Sequence, residues 1–132
     1  MMKFTVDEIK KEHQKVKSGA DFPKYIKAIK EKGVSHYRVY VSDGSTEYFD
    51  NENQSIQTTG KYETLMITRH LNLDHFRTRL MLHQQGGTDY LTFCQDCAEN
   101  GVEGWEMNLN EMTCTYFDND KTQILVEQIP SQ

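Results

Sequence analysis

Few residues in this chain could do chemistry by type and spacing. The first candidates are Cys94-Gln95-Asp96-Cys97, with a third cysteine at Cys114. A Cys-x-x-Cys pair can hold zinc or exchange disulfides, because two thiolates so spaced converge on one ion or on each other. A structural zinc site needs four ligands, however, and no second Cys-x-x-Cys or neighbouring Cys-His pair supplies the rest. A redox pair of the thioredoxin type opens its helix, whereas this pair falls inside one. The three thiols read as core, and neither metal nor cofactor is expected. The five histidines, His13, His36, His70, His75 and His83, show no His-x-x-x-His or His-Glu-x-x-His spacing. No nucleophile elbow, Walker loop or Gly-x-Gly-x-x-Gly is present, and Gly86-Gly87 follows a helix rather than a strand, as a C-cap does. No catalytic residue is assigned.

What remains is a polar strand face. Tyr37, Val39 and Val41 alternate with His36, Arg38, Tyr40 and Ser42, and later Trp105, Met107 and Leu109 alternate with Glu106, Asn108 and Asn110. Side chains two apart share one face of a strand, so the apolar set faces a core and the polar set faces away. If nothing covers that polar face, His36, Arg38, Tyr40, Glu106 and Asn108 offer aromatic, cationic and amide groups to a protein or small-molecule partner. A competing expectation is a small hydrolase or transferase working through His36, Tyr40 and a nearby carboxylate, which needs the histidine within hydrogen-bond reach of that carboxylate.

The elements that position these residues recur. A shift of 68 positions lays residues 22–51 on 90–119 without a gap. Seven pairs are identical: Glu31/Glu99, Gly33/Gly101, Val34/Val102, Tyr48/Tyr116, Phe49/Phe117, Asp50/Asp118 and Asn51/Asn119. Random pairing would give roughly two. Each copy reads as helix, helix, hairpin. First helices are expected near 5–17, with Thr5-x-x-Glu8 as a capping box, and near 73–85. Asp21 and Asp89 cap the second helices, which stop at Gly33 and Gly101. Asp43-Gly44 turns the first hairpin, Thr46–Phe49 returns, and short strands follow near 55–58 and 122–129. The shared Tyr-Phe-Asp-Asn reads as a strand end entering an Asp-Asn turn. Tyr62–Thr68 is expected as an extra strand joining the copies. The offset also places Cys94 on Ile26 and Cys97 on Ile29, apolar helix positions, which is a further reason to read the thiols as core. The expected fold is α+β, one domain of two repeats (about 5–58 and 73–129, joined by 59–72), an antiparallel sheet with helices mainly on one face, and a groove along the junction.

Charge narrows the function classes. The 132 residues carry a net −5 and a pI near 5.5, with a mean hydropathy of −0.76. Residues 1–33 hold nine lysines against five acids, while 34–132 hold six basic residues against fifteen acids. Nucleic-acid binding through the lysine-rich start is thereby the least favoured class, and the lysines read as a solvated helix face. No apolar run approaches the ~20 residues of a membrane span. Three cysteines and a polar start fit a cytoplasmic chain, a monomer or weak homodimer.

Phe76, Gln84, Gly87, Asp89-Tyr90, Thr92-Phe93-Cys94, Ala98, Gly101-Val102 and Trp105, with Gly33-Val34, His36-Tyr37 and Val39 earlier, resemble the YbcV/YdfO-like family of uncharacterised bacterial and prophage proteins. The resemblance spans about residues 22–51 and 74–130. It implies a small α+β domain, while the duplication, the polar face and the lack of a nucleophile-base pattern point to a non-enzymatic binding or accessory module, for which the resemblance allows a prophage origin. Some members carry the label phage envelope protein. It brings no catalytic residues.

Overall fold

The computed structural model describes residues 4–16, 21–60 and 62–128. Ten elements follow one another: α1 (Val6–His13), α2 (Phe22–Glu31), β1 (Val34–Tyr40), β2 (Thr46–Asp50), β3 (Ser55–Gln57), α3 (Leu73–Gln84), α4 (Tyr90–Glu99), β4 (Val102–Asn108), β5 (Thr113–Asp118) and β6 (Gln123–Gln128). The six strands form one antiparallel sheet in the order β3-β2-β1-β4-β5-β6. The fold is α+β.

The local chemistry at helix ends is as the sequence demands, with one exception. Thr5 Oγ1 accepts the Glu8 amide and Asn72 Oδ1 accepts that of His75, so α1 and α3 start on side-chain caps. Asp89 caps α4 through the Thr92 amide at 2.8 Å, but Asp21 makes no such bond. The difference is conformational. Asp89 has the extended backbone that turns a carboxylate back onto the helix, whereas Asp21 is already helical (ψ −11°). α1 ends at His13, short of the expected 17, which lies outside the described residues. At the other ends, Gly33 (φ 114°) and Gly101 (φ 85°) let the chain leave α2 and α4, and each donates its amide to the carbonyl three residues back.

Shifting the first half by 68 positions lays α2 on α4 and β1 on β4 end for end. The left-handed residues follow the same offset: Gly33 with Gly101, Gly44 with Met112, Asn53 with Lys121. Register irregularities do too, falling between Val34 and His36 and between Val102 and Gly104. Asp50 Oδ1 accepts the amides of Glu52 and Gln54, and Asp118 Oδ1 those of Asp120 and Thr122. Each is an aspartate closing its own turn, the reason Asp-Asn ends both strands.

The core lies between the helices and one sheet face. Tyr48, Tyr37, Val39, Trp105, Cys114 and Tyr116 point inward, against Tyr25, Ile26, Ile29, Phe76, Leu80 and Phe93 from the helices. Phe76 stands edge-on to Tyr116 (5.2 Å), and Phe93 packs on Trp105 (5.6 Å). Truncating Phe76, which is wholly buried, would cost about 3–5 kcal/mol. Cys94 and Cys97 are as completely buried as Ile26 and Ile29, their counterparts. Burial raises the Cys97 thiol well above its ordinary pKa and Cys114 to about 12, so neither supplies a thiolate near neutrality.

Two expectations give way. Tyr62–Thr68 is not a strand. Its hydrogen bonds go singly to different partners, Leu65 N–H to the Ser42 carbonyl and Thr68 N–H to that of Ala98, while Tyr62, Leu65 and Ile67 pack against the core. The segment buries apolar side chains without a ladder, a state alternation alone does not distinguish from a strand. The junction between the halves is also not a groove, because β1 and β4 pair directly through it.

Candidate functional site

The register puts all five candidate residues on the sheet face away from the helices. His36 lies opposite Asn108, Arg38 opposite Glu106, and Tyr40 opposite Gly104, on the two central strands. β2 and β5 add neighbours in the same rows: Phe49 beside His36, Glu47 beside Arg38, Thr115 beside Glu106, and Phe117 beside Gly104. Alternation on β2, with Glu47 and Phe49 flanking the buried Tyr48, was the signal that could have found the first two. Asn110, expected on this face, falls in the turn after β4, where it donates its amide to Asn108 Oδ1 at 3.0 Å.

The side chains hold one another in place. Arg38 Nε donates to Glu106 Oε1 at 2.7 Å, and the guanidinium carbon sits 5.4 Å from the Phe49 ring centroid. Phe49 stacks on His36, centroids 4.4 Å apart and planes within 6°. Tyr40 donates to Glu47 Oε1 at 2.8 Å, and Ser55 to the other oxygen at 2.8 Å. Lys121 pairs with Glu103 and lies over Phe117 (5.5 Å) and Tyr40 (6.0 Å). The pair Arg38–Glu106 is half-exposed, so it contributes on the order of 0–1 kcal/mol to stability. Its effect is mainly to fix the position of both groups.

Electrostatics follow from this packing. Burial beneath Phe49 lowers the His36 pKa, and the Glu106 carboxylate only partly restores it. Arg38 is raised, first by its bond to Glu106, and Tyr40 is raised by burial and then by Glu47. The hydrolase or transferase arrangement needs His36 against a carboxylate. The ring instead pairs through Nδ1 with Ser35 Oγ at 2.8 Å, and Tyr40 is bonded to Glu47 rather than to the histidine. The face thus presents a row of alternating charge, Glu47, Arg38, Glu106, flanked by stacked aromatic rings and by Asn108 and Thr115.

Elsewhere, an open depression beside α1 is lined by Glu8, Lys11, Glu12, Gln14, Lys15 and Lys32, a mixture of charges with no convergent geometry. Among the described residues no group of three or more His, Cys, Asp or Glu side chains is arranged to hold a metal ion. No helix of the described residues is long and apolar enough to cross a membrane.

Comparison with known proteins agrees with a fold of this extent. The "Uncharacterized protein YcgX" of Escherichia coli (strain K12) is 19% identical over 116 residues, covering 88% of this chain and 87% of its own. A family model described as "Protein of unknown function (DUF1398)" matches residues 10–128, which runs from α1 to the end of β6. By that match the chain belongs to the DUF1398 family.

Proposed function

We propose that this chain is a non-enzymatic binding or accessory module of the cytoplasm, of the prophage-derived kind its resemblance to the YbcV/YdfO-like proteins implies. It engages a protein partner through the outer face of its sheet. The observation that carries this reading is the uncovered central face, where His36, Arg38, Tyr40, Glu106 and Asn108 are already ordered by stacking, an ion pair and hydrogen bonds. Side chains ordered before binding lose little further freedom on association, which favours recognition. A face of paired strands without a cleft suits another macromolecular surface better than a small molecule, whose sites are concave. Glu47 and Glu106 in the central row disfavour phosphates, and with them nucleic acid.

The test compares proteins retained by the wild-type chain with those retained by an Arg38→Ala/Glu106→Ala/Asn108→Ala variant and by a control altered at exposed Met81 in α3. The reading expects at least one partner that survives the Met81 change and is lost with the face. Partners indifferent to the face variant, or lost equally with both, would overturn it.

A further inference from the structure

The seam between β1 and β4 is self-complementary. Renumber the second half by subtracting 68, and the ladder reads 36 opposite 40, 37 opposite 39, and 38 opposite itself. The flanking bonds are reciprocal in the same sense: Val41 N–H donates to the Glu103 carbonyl at 2.8 Å, and Leu109 N–H to that of Ser35 at 3.0 Å. A contact in which i meets j and j meets i is the pattern of a twofold interface between identical subunits. Here it joins the two halves of one chain. On the pseudo-axis stand Arg38 and Glu106, equivalent in position and opposite in charge, with Nε and Oε1 2.7 Å apart.

That placement decides which strands can meet. A β1–β1 ladder in this register would set Arg38 against Arg38, and a β4–β4 ladder would set Glu106 against Glu106. Like charges directly across a ladder are destabilising. Only unlike halves are complementary. The principal helix contacts also stay within each half, α1 with α2 and α2 with β1, α3 with α4 and α4 with β4, so a half that moves carries its own helices. Fifteen residues, 58–72, connect the two, and those of them that are described carry no helix or strand.

We infer that the β1–β4 seam is a re-pairable interface whose second occupant is another copy of this chain: the N-terminal half of one copy seats on the C-terminal half of the next. Arg38 and Glu106 select this unlike pairing. In dilute solution the linker keeps a chain's own halves at an effective concentration on the order of millimolar, so the closed monomer prevails.

Charge reversal on the full chain separates this from an ordinary surface ion pair. Arg38→Glu alone places two carboxylates on the axis, and Glu106→Arg alone places two guanidinium groups there, in the monomer and in any self-exchanged dimer. A chain of each type can relieve both clashes at once by exchanging halves with the other. The two variants, each unfolded and refolded alone and then refolded together at about 20 μM, about fifty-fold under that effective concentration, are weighed by native mass spectrometry. The mixture is expected to contain at least about ten-fold more dimer than either variant alone, with one chain of each mass, since two repulsive contacts become two attractive ones worth roughly 1 kcal/mol each. The double variant Arg38→Glu/Glu106→Arg alone is expected to match the wild type. Should a single variant fail to fold by itself, recovery of native circular dichroism on co-refolding is the expected result. Only monomers in the mixture, no such recovery, or as much dimer in each variant alone, would overturn the inference.

Discussion

Gly104 is where the seam tolerates no side chain. A Cβ built there would lie 2.2 Å from the Val39 carbonyl oxygen, 3.3 Å from its carbon and 3.1 Å from Cζ of Phe117. Its φ is not positive, so alanine could adopt the backbone and the contact alone sets the cost. Relief to an ordinary separation needs β4 to withdraw from β1 by about 1 Å, because the obstructing atom is main chain and cannot rotate away. Overpacking of that kind costs about 1–3 kcal/mol, and one or two weakened seam hydrogen bonds add about 1 kcal/mol each. Gly104→Ala should therefore cost about 2–5 kcal/mol. Gly86→Ala is the control. At φ 83° with nothing within 4 Å of the added atom, it bears only the left-handed penalty, about 1 kcal/mol. With about 2.1 cal/mol/K of unfolding entropy per residue, a kilocalorie moves the Tm of 132 residues by about 4 °C. Calorimetry should find Gly104→Ala lower by about 7–18 °C and Gly86→Ala by about 4 °C. Equal shifts would refute the reasoning, since the close approach across the seam would then have no energetic consequence.

Three other outcomes follow from the same structure. Asp50→Ala and Asp118→Ala each remove an oxygen that accepts two turn amides, so each should lower stability by about 1–2 kcal/mol in urea titration; a neutral effect at either would contradict the shared turn. A thiol reagent should leave Cys94, Cys97 and Cys114 untouched at neutral pH in the native chain and label all three on unfolding, because all are buried; fast native labelling at Cys94 or Cys97 would revive the redox reading. His36 is held below its ordinary 6.5 when folded, so below pH 6.5 the unfolded chain binds a proton that the native chain does not. Stability is thus fully present above pH 6.5 and declines as pH falls toward the folded value, and a His36→Gln variant should lack that part of the decline in midpoints measured from pH 7.5 to 5.

How much the sequence revealed can be followed residue by residue. The glycines ending α2 and α4, the Asp turns and the alternation on β1 and β4 each answer to a local physical need, so their positions could be read from residue type. The same holds for the five face residues, which local alternation placed correctly on one side of the sheet. Asn110 was misplaced because the strand ends at Asn108, and alternation carries no stop signal of its own. The segment 62–68 reads as a strand because it buries Tyr62, Leu65 and Ile67, yet its backbone partners, the Ser42 carbonyl in the turn after β1 and the Ala98 carbonyl in α4, lie far off in sequence, where no local pattern encodes them. Gly104 and Lys121 gain their meaning only from the order of the strands: one lies against Val39, the other over Tyr40, and both contacts cross from one half to the other. The pseudo-axis at Arg38 and Glu106 is likewise a property of register. An offset can be seen in the sequence, but which strand lies beside which cannot.

On this reading two units related by the 68-residue offset meet through one β1–β4 seam, and the sheet face away from the helices is left uncovered. Nuclear Overhauser contacts in the full chain test it most directly. Cross-strand contacts should join Arg38 to Glu106, with the reciprocal flanks Val41 to Glu103 and Leu109 to Ser35, and no proton of the four helices should approach Arg38, Thr115 or Val126. Contacts placing β1 beside a different strand, or helix protons over that outer row, would contradict the account.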